Sequence, residues 1–467
     1  MVEAKEVWRQ RVGGSVVGLA MAGDRELVLA AGDDGFLHLL GAGGKPLWSV
    51  QLGSKPSALG ISSSGDFAAA GMVDGSVLFF DGSGKLLWKH DAGEPVTRLA
   101  LSHNARYMLV GTERGGILFL SCVTGRVVWS KRAEGPVPAL GLSSSASYAV
   151  AGSEDSTVYF MDNYSTNYGG RLAWSQKMKG AIGHVALSAD GFYTAVASSD
   201  GSVHLIDRLG KLYWSHRLES PPGSLAISPS GDYIAVGTYG GAHPGQVSFF
   251  HRTEGLLWRY ITGEKTVGTV AMDSRGVFIA AGTEAEEIFL FHRNQKLVWK
   301  QRLEGPVENV TLSPDGKRLV AATGKGVVFC FDTSSIVEAL RPRTEEAVEL
   351  EPSLFRPMRA PPARSGLRET TGVAGQDRAG AVRVEERKEA AGLSRDARTL
   401  LEVIVDICLL VVLGLILTVF YFTYTGGIEP GVGITLLIFL LVVMGALLMM
   451  LYKYVITGPK KKEPSFY

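Results

Sequence analysis

The sequence predicts an all-β protein, an eight-bladed β-propeller, followed by a charged linker and a transmembrane α-helical hairpin. Three observations lead to this prediction: one evenly spaced tryptophan series, four short strand patterns between successive tryptophans, and two long apolar runs near the C-terminus. The 58 glycines among 467 residues also exceed the ~7 per cent of average proteins, which indicates many tight turns.

The tryptophans define the repeat. All eight lie 40 to 45 residues apart: Trp8, Trp48, Trp88, Trp129, Trp174, Trp214, Trp258 and Trp299. A period of this length is typical of a propeller blade or of a helical repeat. Residues 56–88 favour the blade, because four apolar runs alternate with turns such as Asp74-Gly75, and Asp-Gly accommodates positive φ in a hairpin. First strands are predicted to begin near Val16, Pro56, Val96, Val137, Ile182, Gly223, Val267 and Val307.

The count of strands predicts how the ring closes. Eight units supply three strands each, but a tryptophan strand follows only seven of them, and the remaining one lies at the N-terminus in residues 6–12. We expect this strand to complete the last blade, because the pairing removes an open sheet edge. The predicted propeller covers residues 1–336.

The fourth-strand sequences resemble a known motif. Gly-Lys or Gly-Arg precedes Trp in residues 84–88 and 125–129, and Asp81 and Asp207 stand before the turn. This pattern resembles the tryptophan-docking motif of PQQ-like propellers, the family of quinoprotein dehydrogenases and of eight-bladed outer-membrane assembly lipoproteins. The Ser-Pro-Asp-Gly turn at 313–316 resembles WD40-type repeats, although no Trp is followed by Asp. The resemblance implies the fold over residues 3–336 and no particular activity, since this fold hosts many.

The tryptophans have a structural and a functional interpretation. They either form a ligand cage, or each indole packs between adjacent blades and its N–H reaches a neighbouring backbone carbonyl. One tryptophan per blade at a fixed position favours the structural interpretation.

The sequence predicts no enzyme, no cofactor and no metal site. The resemblance to quinoprotein dehydrogenases would require adjacent cysteines and calcium ligands, whereas Cys122, Cys330 and Cys408 lie far apart. The nine histidines show no spacing typical of metal ligands. No catalytic residue is therefore predicted.

Two loops longer than their counterparts are candidate partner contacts. Tyr164 and Tyr168 lie in the insertion 163–170, and His243 lies in the glycine-rich insertion 240–245. Tyrosines on a polar loop suit protein recognition, and a glycine-rich loop suits a phosphate. The alternative for both is a solvated connection.

Composition changes after the propeller. Residues 337–393 are predicted to form a flexible linker, since 341–399 carry 12 Lys/Arg, 10 Asp/Glu and five prolines. Residues 394–456 contain two apolar runs, 403–424 and 432–452, each long enough to cross a bilayer as a helix. A basic tail, 457–467, follows.

Charge asymmetry predicts the orientation of the hairpin. Residues 383–402 carry five Lys/Arg, the connection 425–431 carries none, and the C-terminal flank carries four. The positive-inside rule then places the propeller and the C-terminus in the cytoplasm, and no apolar signal precedes the propeller. Asp406 is either an intramembrane contact or an interfacial acid. Lys460, Lys461 and Lys462 fix the topology and are candidates for anionic-lipid contact.

These features predict a two-span protein of the cell membrane whose cytoplasmic propeller is a scaffold for protein–protein interaction. The partners are the lipid bilayer and one or more unknown proteins. No nucleic acid is expected, because 47 basic residues nearly cancel 46 acidic ones. The alternative is a propeller subunit of a membrane-protein insertion or envelope-assembly complex, and a quinoprotein-like oxidoreductase is the remaining candidate.

Overall fold

A computed structural model describes residues 3–164, 168–240, 243–263 and 265–340. The predicted hairpin 403–452, the basic tail, Asp406, Lys460, Lys461, Lys462 and almost all of the predicted linker lie outside the described residues. Among the described residues, no helix has the length and apolar character needed to span a membrane.

The described chain forms 32 strands and one short helix. Blade 1 consists of β2 Val16–Met21, β3 Val28–Gly32, β4 Phe36–Leu40 and β5 Pro46–Gln51. Blade 2 consists of β6 Pro56–Ile61, β7 Phe67–Met72, β8 Ser76–Asp81 and β9 Leu86–Asp91, and blade 3 of β10 Val96–Leu101, β11 Tyr107–Thr112, β12 Gly116–Ser121 and β13 Val127–Arg132. Blade 4 consists of β14 Ala139–Leu142, β15 Tyr148–Gly152, β16 Thr157–Asp162 and β17 Arg171–Lys177.

Blade 5 consists of β18 Ile182–Leu187, β19 Tyr193–Ser198, β20 Ser202–Asp207 and β21 Leu212–Arg217, and blade 6 of β22 Pro222–Ile227, β23 Tyr233–Thr238, β24 Gly245–His251 and β25 Gly255–Gly263. Blade 7 consists of β26 Val267–Met272, β27 Phe278–Thr283, β28 Glu287–His292 and β29 Lys296–Arg302. Blade 8 consists of β30 Val307–Leu312, β31 Arg318–Thr323, β32 Val327–Asp332 and the N-terminal β1 Lys5–Arg11. Helix α1, Ser334–Ala339, follows β32.

The N-terminal strand closes the ring, as the sequence predicts. The last sheet has the order β1-β32-β31-β30, and β1 pairs antiparallel with β32, with Trp8 opposite Cys330. The other seven sheets each contain four consecutive antiparallel strands. The eight-bladed prediction is therefore confirmed.

Burial within a blade follows from its place in the ring. In blade 2, five of the six residues of β7 are buried, because both faces of this strand meet neighbouring blades. The outermost strand β9 alternates between exposed and half-buried side chains instead, as a strand with one solvated face does. The first strands of successive blades are neighbours around the axis, so they form the wall of the central channel.

Backbone hydrogen bonds link the blades at one mouth of this channel. In six of the eight blades, the turn after the first strand donates to the same turn of the next blade, beginning with Asp24 N to Ser63 O at 2.9 Å and ending with Ser274 N to Pro314 O at 3.0 Å. The links from blade 6 to blade 7 and from blade 8 to blade 1 are missing among the described bonds. The donor positions there are Pro229 and Pro314, which lack an amide proton.

Helix α1 covers part of the last blade. Ile336 and Val337 are buried against the blade 7 and 8 core, and Ser335 Oγ donates to Glu3 O at 3.2 Å. The sequence analysis did not predict this helix.

Candidate protein-interaction surface

The tryptophans join neighbouring blades. The indole N–H of Trp48 donates to Gly82 O at 3.0 Å, that of Trp88 to Cys122 O at 2.7 Å, and that of Trp214 to Arg252 O at 2.9 Å. Trp174 and Trp258 make the same bond, to Arg208 O and Arg293 O. Trp129 instead donates to the side chain of Asn163 at 3.1 Å.

Trp8 and Trp299 also depart from this pattern. The buried Nε1 of Trp8 has no partner in the described part of the chain. The ring centroid of Trp299 lies 5.0 Å from that of Phe331 in blade 8. The indoles therefore occupy sites in the wall of the fold and are not gathered around a shared cavity.

Glycines explain how the indoles fit. A methyl group built on Gly84 would lie 2.7 Å from the Trp48 ring, and one on Gly125 would lie 2.9 Å from Trp88. Both glycines also have positive φ, which side chains disfavour. In each Gly-x-x-x-Trp segment, the glycine therefore does not contact the tryptophan of its own segment. It contacts the indole of the preceding blade instead.

The antiparallel blades present two faces with different loops. The turns between second and third strands lie on one face with the connections between blades, as the bond from Leu52 N to Gly35 O at 2.8 Å shows. The turns after the first and third strands lie on the opposite face. We name these surfaces the acidic face and the opposite face, from the charges described next.

The loops of the two faces carry different charge. Described loops of the acidic face contain five basic residues, Lys55, Arg114, Lys179, Lys265 and Lys325, and thirteen acidic ones: Asp33, Asp34, Asp74, Glu94, Glu113, Glu134, Glu154, Asp155, Asp200, Glu219, Glu284, Glu286 and Glu304. Described loops of the opposite face contain eight acidic residues and eleven basic ones: Arg25, Lys45, Lys85, Arg106, Arg126, Arg208, Lys211, Arg252, Arg275, Arg293 and Lys317. The described loops of one face therefore carry a net negative charge, and those of the other face a net positive charge.

Some acidic side chains serve the fold. Asp74 accepts a hydrogen bond from Ser76 N at 2.9 Å, and Asp200 accepts one from Ser202 N at 3.0 Å. Such bonds fix the hairpin turn. Hydrogen bonds from Ser202 help to keep the pKa of Asp200 below its ordinary value, against the effect of burial.

Four glutamates of the acidic face are free for a partner. Glu113, Glu134, Glu154 and Glu284 are exposed, and no cation of the described residues pairs with them. By contrast, Glu94 pairs with Arg132 at 3.0 Å. A surface with these groups attracts basic segments and repels acidic ones.

The channel wall carries charged groups that the sequence analysis missed. Arg98 on β10 has exposed surface, but desolvation by the surrounding protein lowers the pKa of its guanidinium. No carboxylate of the described residues pairs with it. Burial lowers the pKa of His184 on β18 to about 4, and the charge of Arg98 adds to this effect. Burial and the nearby Glu284 raise the pKa of Glu308 on β30. Aligning the first strands with one another would have revealed these residues, because their counterparts are mostly small or uncharged.

The structure separates the predicted contact loops. Tyr164 is 72 per cent exposed on the opposite face, whereas Tyr168 stacks on Tyr107 with 4.5 Å between ring centroids. His243 is exposed on the acidic face. These residues therefore do not form one site. Within the described ranges, no group of three His, Cys, Asp or Glu side chains has a metal-binding arrangement.

Comparisons with known proteins agree with this geometry. A family model described as outer membrane protein assembly factor BamB matches residues 73–236. A model described as the WD40 domain of anaphase-promoting complex subunit 4 matches residues 274–349. The β-propeller is thus similar to PQQ-like propellers over the first range and to WD40-like propellers over the second. No curated protein sequence matches it significantly.

Solved structures show the same fold. Sqt1 from Chaetomium thermophilum, bound to the N-terminus of ribosomal protein L10, is 20% identical, with a TM-score of 0.62 over 71% of this chain and 100% of Sqt1. BamB from Moraxella catarrhalis is 19% identical, with a TM-score of 0.56 over 70% of this chain and 99% of BamB. Sqt1 from Saccharomyces cerevisiae is 15% identical, with a TM-score of 0.61 over 71% of this chain and 99% of that protein.

Proposed function

We propose that this chain is a membrane-anchored cytoplasmic scaffold, not an enzyme, and that the acidic face of its propeller binds a basic segment of a protein partner. The observation that carries the proposal is the excess of acidic groups on this face, of which Glu113, Glu134, Glu154 and Glu284 have no cationic partner among the described residues. The structure of Sqt1 with the N-terminus of L10 supports the idea that a propeller of this fold can hold a protein segment.

The partner can be tested in native membranes with the full chain. In one variant, Glu113, Glu134, Glu154 and Glu284 are each replaced by Gln. The matched control replaces Lys45, Lys85, Arg106 and Arg126 of the opposite face by Gln. Crosslinking and mass spectrometry should recover a partner through Lys- and Arg-rich peptides with the wild type and the control. The acidic-face variant should lose it, as should a wash in about 0.5 M salt, because salt screens exposed charges.

Retention of the same partner by the acidic-face variant would exclude this face as the docking surface. Loss of the partner in the control alone would assign docking to the opposite face.

The membrane part of the proposal rests on the apolar runs 403–424 and 432–452 and on the charge bias of their flanks. Cysteine in place of Ile428 should react with a membrane-impermeant thiol reagent in intact cells. Cysteine in place of Tyr164, an exposed propeller residue, should react only after lysis. The reverse pattern would place the propeller outside the cytoplasm.

The second candidate is a subunit of a membrane-protein insertion or envelope-assembly complex. The match of residues 73–236 to the BamB family model favours it. In that case the crosslinked partners would be components of an insertion or assembly machinery.

A further inference from the structure

A cavity of about 600 Å³ opens on the opposite face, where blades 6 and 7 meet. Its lining includes Tyr233, His251, Arg275, His292 and Arg293. This volume lies within the range of ligand sites, which combine apolar walls with a few polar groups.

The two arginines of this cavity have weak anionic partners or none. The guanidinium of Arg293 lies 5.8 Å from the centre of the Tyr233 ring, and its Nη1 is 3.4 Å from the Tyr233 hydroxyl. No carboxylate of the described residues pairs with Arg293. Arg275 is half exposed, and its Nε lies 3.6 Å from the buried carboxylate of Asp273.

The remaining polar groups do not neutralise Arg293. His251 Nδ1 lies 3.5 Å from Glu254, whose exposed carboxylate stands at the rim. His292 accepts a weak hydrogen bond from Asn294 N at 3.5 Å. Among the described lining residues, Glu254 is the only acid, against two arginines, and the carboxylate of Asp273 lies buried beside Arg275.

The rest of the lining is apolar. Leu257 is 38 per cent exposed, and Val277 and Leu340 are half-buried, so these three side chains offer accessible apolar surface. Phe278 and Val337, which also line the cavity, are almost completely buried. Helix α1 thus supplies one wall, and the cavity combines two guanidinium groups with an apolar floor.

We propose that this cavity binds an extended acidic segment of a protein partner. Its carboxylates contact Arg275 and Arg293, and an apolar side chain packs on Leu257, Val277 and Leu340. The planar fork of a guanidinium matches a carboxylate, and the basic loops of this face attract an acidic chain. This site is separate from the acidic face, so the two proposals do not depend on each other.

The test uses the full chain in detergent and a fluorescein-labelled twelve-residue peptide of alternating glutamate and leucine. A peptide with lysine in place of glutamate is the matched control. The R275Q/R293Q variant should bind the acidic peptide at least about tenfold more weakly than the wild type, because it removes both charged partners. R106Q, on the same face in blade 3, and the acidic-face variant should bind like the wild type. Unchanged melting curves would show that the variants are folded.

Equal binding by R275Q/R293Q and the wild type would overturn the proposal, as would equal binding of the lysine peptide. Full displacement by inorganic phosphate at the concentration of the peptide would overturn the assignment to a peptide. Tighter binding after replacement of Glu345, Glu346, Glu349 and Glu351 by Gln would overturn the assignment to a separate partner, because those glutamates follow Leu340 in the same chain.

Discussion

The indole N–H of Trp88 donates a 2.7 Å hydrogen bond to the carbonyl oxygen of Cys122 in the next blade. At the seam between the last and first blades, the buried N–H of Trp8 has no partner in the described chain. Two residues of the same type at equivalent positions therefore differ in one hydrogen bond, which makes their contributions to stability separable.

We predict that Trp88→Phe destabilises the propeller more than Trp8→Phe does. Both changes remove the same ring atoms, but only the first leaves the partly buried carbonyl of Cys122 without its donor. The difference in the free energy of unfolding should be about 1 to 2 kcal/mol, measured by urea denaturation of both variants. A larger loss for Trp8→Phe would contradict the prediction.

Removal of residues 1–11 should strongly destabilise the ring. It takes away β1 with the buried Trp8 and leaves β32 as an open edge. The melting temperature should fall by ~10 °C or more, with aggregation on heating. Removal of residues 1 and 2 alone is the control and should have no effect; a propeller that melts normally without β1 would argue against closure.

Gly84→Ala should cost more stability than Gly53→Ala. Both glycines have positive φ, but an added methyl at Gly84 meets the Trp48 ring, whereas Gly53 has open space around it. We expect a loss of about 1 kcal/mol for Gly53→Ala and about 3 kcal/mol for Gly84→Ala. Chemical denaturation of the pair separates backbone strain from the steric clash, and equal losses would show that the clash is relieved.

Asp273→Ser should stabilise blade 7. Six blades carry serine at this position, as in Ser313, whose Oγ accepts from Arg318 N at 2.9 Å. Asp273 makes the equivalent bond from Phe278 N with one oxygen, while its other buried oxygen accepts no hydrogen bond. Removing that oxygen should raise stability by about 1 kcal/mol, and Ser313→Asp should lower it. The change also frees Arg275, so it should tighten binding of the acidic peptide.

Stability should fall on acidification through His184. Its pKa is about 4 in the folded chain against about 6.5 in the unfolded chain, so between these values only the unfolded state takes up the proton. The folded state therefore loses stability as the pH falls from about 6.5 to 4, by up to about 3 kcal/mol. His184→Gln should lose less stability than the wild type between pH 7 and pH 4.5, and parallel pH profiles would contradict this origin.

The strands were predictable because the same pattern of apolar runs and turns recurs in every repeat. Six first strands begin at or within one residue of Val16, Pro56, Val96, Ile182, Val267 and Val307, and β22 begins at Pro222, next to the predicted Gly223. Only β14 starts two residues late, at Ala139, because Pro136 and Pro138 lack the amide protons that a ladder needs. Helix α1 was not predictable, because six residues without a side-chain cap have no helical signal of their own.

The charged sites needed the fold. Glu113 and Glu284 are 171 positions apart in the chain, and only the closed ring places their loops on one face. Arg275 and Arg293 belong to different turns of blade 7, and they line one cavity because both turns lie on the opposite face.

The sequence by itself determined the number of blades, the strand that closes the ring and the hairpin turns, because local residue patterns and their period encode these features. The tertiary structure decided which charges share a face, which arginines lack partners and which tryptophan lacks its acceptor. Those properties depend on the distances between groups that are far apart in the chain, and only the closing of the ring fixes such distances.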